Sequence, residues 1–346
     1  MTAPLPSRRD FLKSSAATAA LSLGTAATTH FPWSNATHAA EPGTLEHRRF
    51  GKTDMNVAVL GFGGAEIGYE RVAPETVSKL LNGAIDGGLN VIDTAECYVD
   101  SEALIGDAIG GRRKDYYLFT KCGHAPGADG WTKDAILRSV ERSLKRLKTD
   151  AVDLVNLHSC SLNELMKGEC IEALEQAKKE GKTRYIGYSG DAQAARYAVE
   201  CGRFDALQTS LNICDQEAIE LTLPIAVDKG MGVICKRPIA NAVWRYDTQP
   251  SNSYHLEYWK RLQELKYDFA MGEAAKKQDA SGPAATAMRF TAMQPGVHVV
   301  IVGTTKPERW KQNAALMSAG ALPKELEASI RTRWKEVAKS NWTGQT

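Results

Sequence analysis

The sequence predicts an α/β protein, a closed (β/α)8 TIM-type barrel, on three observations. Short apolar strands alternate with amphipathic helices along the chain, the pattern of an α/β fold. The strands are apolar throughout rather than alternating, as parallel strands covered on both faces are. The alternation approaches eight strand–helix pairs, a regularity that favours a closed barrel over an open sheet. An open dinucleotide-binding fold is the rival, and its glycine fingerprint would have to be "GFGGAEIG" at 61–68. Gly61 and Gly63 fit, but the third glycine position holds Glu66 and no helix is written there, so that reading fails.

The elements follow in order. "NVAVLGFGG" (56–64) is strand-like, and 74–88 is a helix with Pro at its start and Gly at its end. Strand 90–95 precedes helix 101–110, and strand 116–121 precedes helix 132–148, where Ile136, Val140, Leu144 and Leu147 share a face. Strand 151–158 precedes helix 168–181, strand 183–190 precedes helix 191–202, and strand 205–210 precedes one helix over 216–230. Strand 232–236 is followed by a long insertion, 237–283, which carries Trp244, Tyr246, Tyr254, Tyr258 and Trp259 and a helical pattern over 254–269. A helix at 284–294, a strand at 296–303 and a helix at 307–320 complete the repeat. An insertion after the seventh strand belongs over the mouth of such a barrel, as a lid or substrate loop.

Composition narrows the function. Of 346 residues, 43% are hydrophobic and 24% charged, enough for a large core. There are 43 basic and 41 acidic side chains, so nothing marks a nucleic-acid or membrane surface. The seven cysteines are odd in number and form no CxxC, which argues against a disulfide framework and a zinc ribbon; no metal is expected.

Residues 1–40 read differently from the rest. Arg8 and Arg9 precede Phe11, Leu12 and a run of small, weakly apolar residues, and Ala39 and Ala40 offer a cleavage site. This is the order of a twin-arginine signal peptide, with export to the periplasm or medium through the twin-arginine machinery. The run is too short and polar for a membrane span, which needs about 20 apolar residues. Residues 41–346 are then expected to form a single barrel domain.

In a barrel, polar residues at strand C-termini converge at one mouth. Asp93 ends the second strand with Tyr98 just beyond it, Lys121 ends the third and His158 the fourth. Tyr has an ordinary pKa near 10; a neighbouring ammonium should lower it and Asp93 should hold Lys121 in place. A neutral His158 can donate to a carbonyl oxygen. The set is a proton donor matched to an alkoxide, with the hydride left to a nicotinamide.

The segments "DTAECYVDSEALIG" (93–106), "TKCG" (120–123), "SLKRLKTDAVDLVNLH" (143–158), "GYSG" (187–190) and "VGTTKPERWKQN" (302–313) resemble the aldo-keto reductases, from about Leu45 to Asn313. The resemblance implies a barrel that reduces aldehydes or ketones with NADP(H), a tetrad of Asp93, Tyr98, Lys121 and His158, and Tyr98 as the acid. It implies that Gly63 and Gly64 line the nicotinamide region and that Ser189 and Gln208 hold its carboxamide. Two positions depart from the family: Gly190 stands where Asn is usual, and Lys236 where an aromatic ring commonly stacks on the nicotinamide. Gly303, Thr304 and Thr305 open a loop at a helix N-terminus, where backbone N–H groups suit phosphate. By the same resemblance Lys306 and Arg309 meet the 2′-phosphate, and Gln312 and Asn313 the adenine; two cations there favour NADPH over NADH. His124, Trp131 and Trp244, on loops 123–131 and 237–283, are the candidate substrate-pocket residues for an apolar or sugar-like small molecule. Folding around the nucleotide before export would leave it tightly held and recycled by a second substrate. The alternative function is a nucleotide-binding but catalytically weak barrel that serves as a binding or regulatory subunit.

Overall fold

In the computed structural model, which describes residues 45–124 and 130–345, eight parallel strands close into a barrel. The 1–40 signal reading therefore lies outside the described residues. The barrel strands are β3 (Leu60–Gly63), β4 (Val91–Asp93), β5 (Tyr117–Cys122), β6 (Val152–His158), β7 (Thr183–Ser189), β8 (Ala206–Ser210), β9 (Gly232–Lys236) and β10 (Val299–Gly303), with β10 paired to both β9 and β3.

The period-2 alternation of strands sorts their side chains. Ile92, Leu118, Val155, Leu157, Leu207, Val233 and Val300 face outward into the layer of helices. Val91, Phe119, Leu154, Ala206, Ile234, Val299 and Ile301 fill the interior. Two residues further along the same inward columns stand Asp93, Lys121, Asn156, Gln208, Lys236 and Gly303, so an apolar floor gives way to a polar mouth. The sequence pattern ran 56–64 as one strand; the chain divides it. Asn56–Ala58 (β2) pairs antiparallel with His47–Arg49 (β1), and their turn plugs the barrel floor with Phe50, Met55 and Val57. The Phe50 and Phe119 rings pack tilted at 34°, with centroids 5.6 Å apart.

Helices α1 (Ala65–Tyr69), α2 (Pro74–Asp86), α3 (Ser101–Ile109), α4 (Lys133–Leu147), α5 (Leu162–Lys167), α6 (Glu169–Lys179) and α7 (Ala192–Glu200) follow in turn. The single helix expected over 216–230 is two, α8 (Glu217–Leu221) and α9 (Leu223–Asp228), broken at Thr222 (φ −125°) just before Leu223-Pro224. Pro224 has no N–H and its ring would clash with a continuing helix, so the chain restarts with Pro in the first turn.

The insertion after β9 carries α10 (Ser253–Leu265), shorter than the 254–269 pattern. It is followed by α11 (Pro283–Ala292), α12 (Arg309–Met317) and the terminal helix α13 (Lys324–Val337). Tyr258, Leu262 and Leu265 of α10 share a second apolar core with Phe290, Ile330, Trp334 and Trp342. One face of the inserted helix is thus anchored, and the 240–254 stretch before it reaches the mouth. No described helix is long and apolar enough to cross a membrane.

Candidate active site

Strand register sets the level of each polar side chain. Gly303, Gly63 and Asp93 are neighbours across β10, β3 and β4, and His158, Ser189 and Gln208 across β6, β7 and β8. Lys121 donates from Nζ to Asp93 Oδ2 at 2.5 Å and to the Thr94 carbonyl at 2.8 Å. Gln208 Nε2 donates to the other carboxylate oxygen, Oδ1, at 2.9 Å, and Ser189 Oγ donates to Gln208 Oε1 at 2.8 Å. The Lys121 ammonium lies over the Tyr98 ring, 4.8 Å from its centroid, and the rings of Tyr98 and His158 meet edge-to-face at 5.6 Å. Asp93, Tyr98, Lys121 and His158 are therefore brought together.

The turn that presents Tyr98 is clamped from below. Buried Glu96 accepts from Ser139 Oγ and from Arg142 Nε at 2.5 Å, and Arg146 donates to its carbonyl. Glu102, also buried, accepts from Thr120 Oγ1 at 2.6 Å. These two carboxylates are supports of the site that the motif reading does not single out, because they stand in a stretch, 93–106, already rich in polar residues. A Cβ on Gly68 would lie 2.0 Å from the Tyr98 carbonyl, so α1 can pass the tyrosine only as glycine. Tyr98, His158 and Lys236 are each followed by a non-glycine residue in the left-handed region: Val99 (φ 51°), Ser159 (φ 59°) and Arg237 (φ 57°). Backbone strain of this kind is held where surrounding structure fixes it.

Electrostatics corrects one expectation. Burial raises the Tyr98 phenol well above its ordinary pKa, and Asp93, Cys97 and Tyr69 push the same way. Lys121 was expected to lower it, but that charge is neutralised 2.5 Å away by Asp93. Tyr98 thus stands as the intact acid. Burial raises Asp93 as well, against the opposing pull of Lys121. His158 falls well below its usual value, through burial and the nearby charges of Lys121 and Lys236, and is neutral.

A cavity of about 1390 Å³ runs from this cluster across the mouth. Asp93, Tyr98 and His158 line it with Gly63 and Gly64, and so do Gly303, Thr304, Thr305, Lys306, Arg309 and Asn313. Lys236, Trp244 and Tyr254 lie along it. Ser189, Gly190, Gln208 and the exposed Gln312 are not among the lining residues, and Lys121 sits beneath. His124 and Trp131 do not line it either; they pack edge-on at 5.3 Å, with His124 5.4 Å from His158. Lys306 and Arg309 make no ion pair among the described residues.

Both departures from the family pattern have a structural cause. A Cβ on Gly190 would lie 2.4 Å from the Tyr188 hydroxyl, which donates to the Cys160 carbonyl at 2.8 Å, so no larger residue fits as the chain stands. Lys236 pairs with Asp191 at 3.1 Å. Asp191, further bound by Thr209 Oγ1, Ser210 N and Ser210 Oγ, is held down to about 2, with Lys236 the leading opponent of its burial. Lys236 itself is lowered, because burial and Arg237 outweigh its single carboxylate. Its ammonium is tethered to Asp191 in place of a stacking ring.

The residues present fit a dinucleotide phosphate. Gly303 lies against the Glu66 side chain, and Lys306 and Arg309, which make no ion pair among the described residues, line the same cavity beside it. Among the described residues no His, Cys, Asp or Glu cluster could hold a metal ion.

Known proteins similar to this chain place it in a family. Bacillus subtilis (strain 168) "Uncharacterized oxidoreductase YqkF" is 28% identical over 306 residues, 84% of this chain and 97% of its own. The Arabidopsis thaliana "Probable voltage-gated potassium channel subunit beta" is 26% identical over 297 residues, 78% of this chain and 90% of its own. A Klebsiella pneumoniae aldo/keto reductase solved in complex with NADP and acetate superposes with a TM-score of 0.67 at 26% identity, covering 86% of this chain and 99% of that one. The model of the aldo/keto reductase family matches residues 59–334, and the chain belongs to that family.

Proposed function

We propose that the protein reduces aldehydes or ketones to alcohols, reversibly, with NADP(H). The observation that carries this is one cavity lined both by members of the buried acid–lysine–tyrosine–histidine cluster and by two cations, Lys306 and Arg309, that make no ion pair among the described residues. Gly63, Gly64, Gly303, Thr304, Thr305, Lys306, Arg309 and Asn313 would hold the nucleotide, and bound NADPH would supply the hydride that a carbonyl carbon needs. Tyr98 gives its proton to the carbonyl oxygen as negative charge builds there; a phenol kept protonated by burial releases it only to a base as strong as an alkoxide. Neutral His158 orients the carbonyl by donating from a ring nitrogen, and Lys121, tied to Asp93, packs its ammonium over the Tyr98 ring and fixes it in place. Tyr69, Trp244 and Tyr254 face the same cavity and suit a substrate with an apolar or sugar-like face.

The test is turnover of a panel of aldehydes and ketones with NADPH and with NADH, beside Tyr98→Phe. The wild type should consume NADPH, and the variant should lose at least about a hundredfold in kcat while binding NADPH unchanged. The potassium-channel β relative supports a second reading, a nucleotide-responsive binding subunit. Tight NADPH binding with no turnover of any carbonyl would favour it. We also propose export by residues 1–40 with the nucleotide aboard. Near-stoichiometric NADP(H) released from exported, signal-cleaved protein would support this, and empty protein would remove the retained nucleotide.

A further inference from the structure

We propose that Cys97 is a positioning residue for His158: its thiol donates to Nδ1 and so fixes the imidazole as the tautomer that carries its proton on Nε2. The inference deepens the reductase reading and rests on it for its catalytic consequence. Cys97 Sγ lies 3.3 Å from His158 Nδ1, the one hydrogen bond of that ring among the described residues. A neutral imidazole has a single N–H, so whichever nitrogen accepts decides which one donates. Burial and the charges of Lys121, Lys236 and Arg237 keep the ring neutral. Burial, with help from Glu96 and Glu102, keeps the thiol protonated, so Sγ has a proton to give and Nδ1 a lone pair to take it. Nε2–H is then free to meet a carbonyl oxygen beside the Tyr98 hydroxyl.

The position is distinctive in the chain. Cys122, Cys160 and Cys235 belong to the buried layer outside the barrel, whereas Cys97 is half-buried at the mouth. It directly precedes Tyr98, on the turn that Glu96 anchors to Ser139 and Arg142. One clamped turn thereby delivers the acid and sets the proton position of its neighbour.

The experiment is ¹⁵N NMR of histidine-labelled full-length protein, with kinetics of Cys97→Ala and Cys97→Ser. In the wild type the His158 signals should show Nε2 protonated and Nδ1 bare. Cys97→Ala should give mixed tautomers and lower kcat by on the order of tenfold, the factor one neutral hydrogen bond represents, with the KM for NADPH unchanged. Cys97→Ser, whose hydroxyl can donate in the same way, should restore both. A wild-type ring protonated on Nδ1, or a Cys97→Ala protein with unaltered tautomer and kcat, overturns the proposal. Should Cys97→Ala fail to fold, the wild-type spectrum decides alone. Should no carbonyl be turned over, the reductase reading falls while the tautomer is still measured.

Discussion

Replacing Asp93 by asparagine should destabilise the whole barrel. The carboxylate is 1% exposed and Lys121 2% exposed. One carboxylate oxygen accepts from Lys121 and the other from Gln208 Nε2. Asparagine has a single acceptor oxygen, so one of these donors must face an amide NH2 instead. With the amide NH2 turned toward Lys121 the ammonium would keep only the Thr94 carbonyl, and in either orientation it loses its counter-charge. Removing one partner of a buried ion pair costs about 3–5 kcal/mol, since the other charge is left uncompensated. With an unfolding entropy near 2.1 cal/mol/K per residue and roughly 300 folded residues, that loss lowers Tm by about 5–8 °C. Urea titration with the midpoint converted through a common slope measures it, and calorimetry checks the Tm. A loss under about 1 kcal/mol would refute the claim that Asp93 holds a dry, charged lysine in place. The full 3–5 kcal/mol need not equal the net worth of the pair, because burial itself raises Asp93 and works against its charged form.

Further outcomes can be checked directly. Lys306→Ala combined with Arg309→Ala should weaken NADPH binding at least about tenfold and spare NADH, as read by fluorescence titration; equal loss for both nucleotides would place the two cations elsewhere than on the 2′-phosphate. Val99→Gly should raise stability by about 0.5–1 kcal/mol, because relief of left-handed strain exceeds glycine's added chain entropy; denaturant midpoints decide the sign. Asp191, held at about 2 against an ordinary 3.8, contributes about 2 kcal/mol of stability that is present above pH about 4 and lost as the pH falls toward 2. Midpoints between pH 6 and pH 2.5 should show this loss, and Asp191→Asn should flatten the curve.

The barrel was legible because its signals are local. Apolar strands, helices with marked ends and ionisable residues at strand C-termini all lie within short stretches of chain. The Asp93, Tyr98, Lys121 and His158 set was readable for the same reason, since strand ends converge in any barrel. The β1–β2 plug escaped because a three-residue strand has too short a period to announce itself, and the α8–α9 break because Pro224 was read as helix interior. Glu96 and Glu102 gave only a weak signal, as their partners Ser139, Arg142 and Thr120 come from other elements.

Sequence by itself determined the fold class and the residues at each strand end. It showed that Gly190 and Lys236 were unusual. Only the tertiary structure supplied the reasons: the Tyr188 hydroxyl occupies the space a side chain at 190 would need, and Asp191 captures the lysine. Tertiary structure also decided the protonation states. Desolvation depends on what surrounds a group in space, so Tyr98 stays a phenol despite a lysine at its ring and His158 stays neutral.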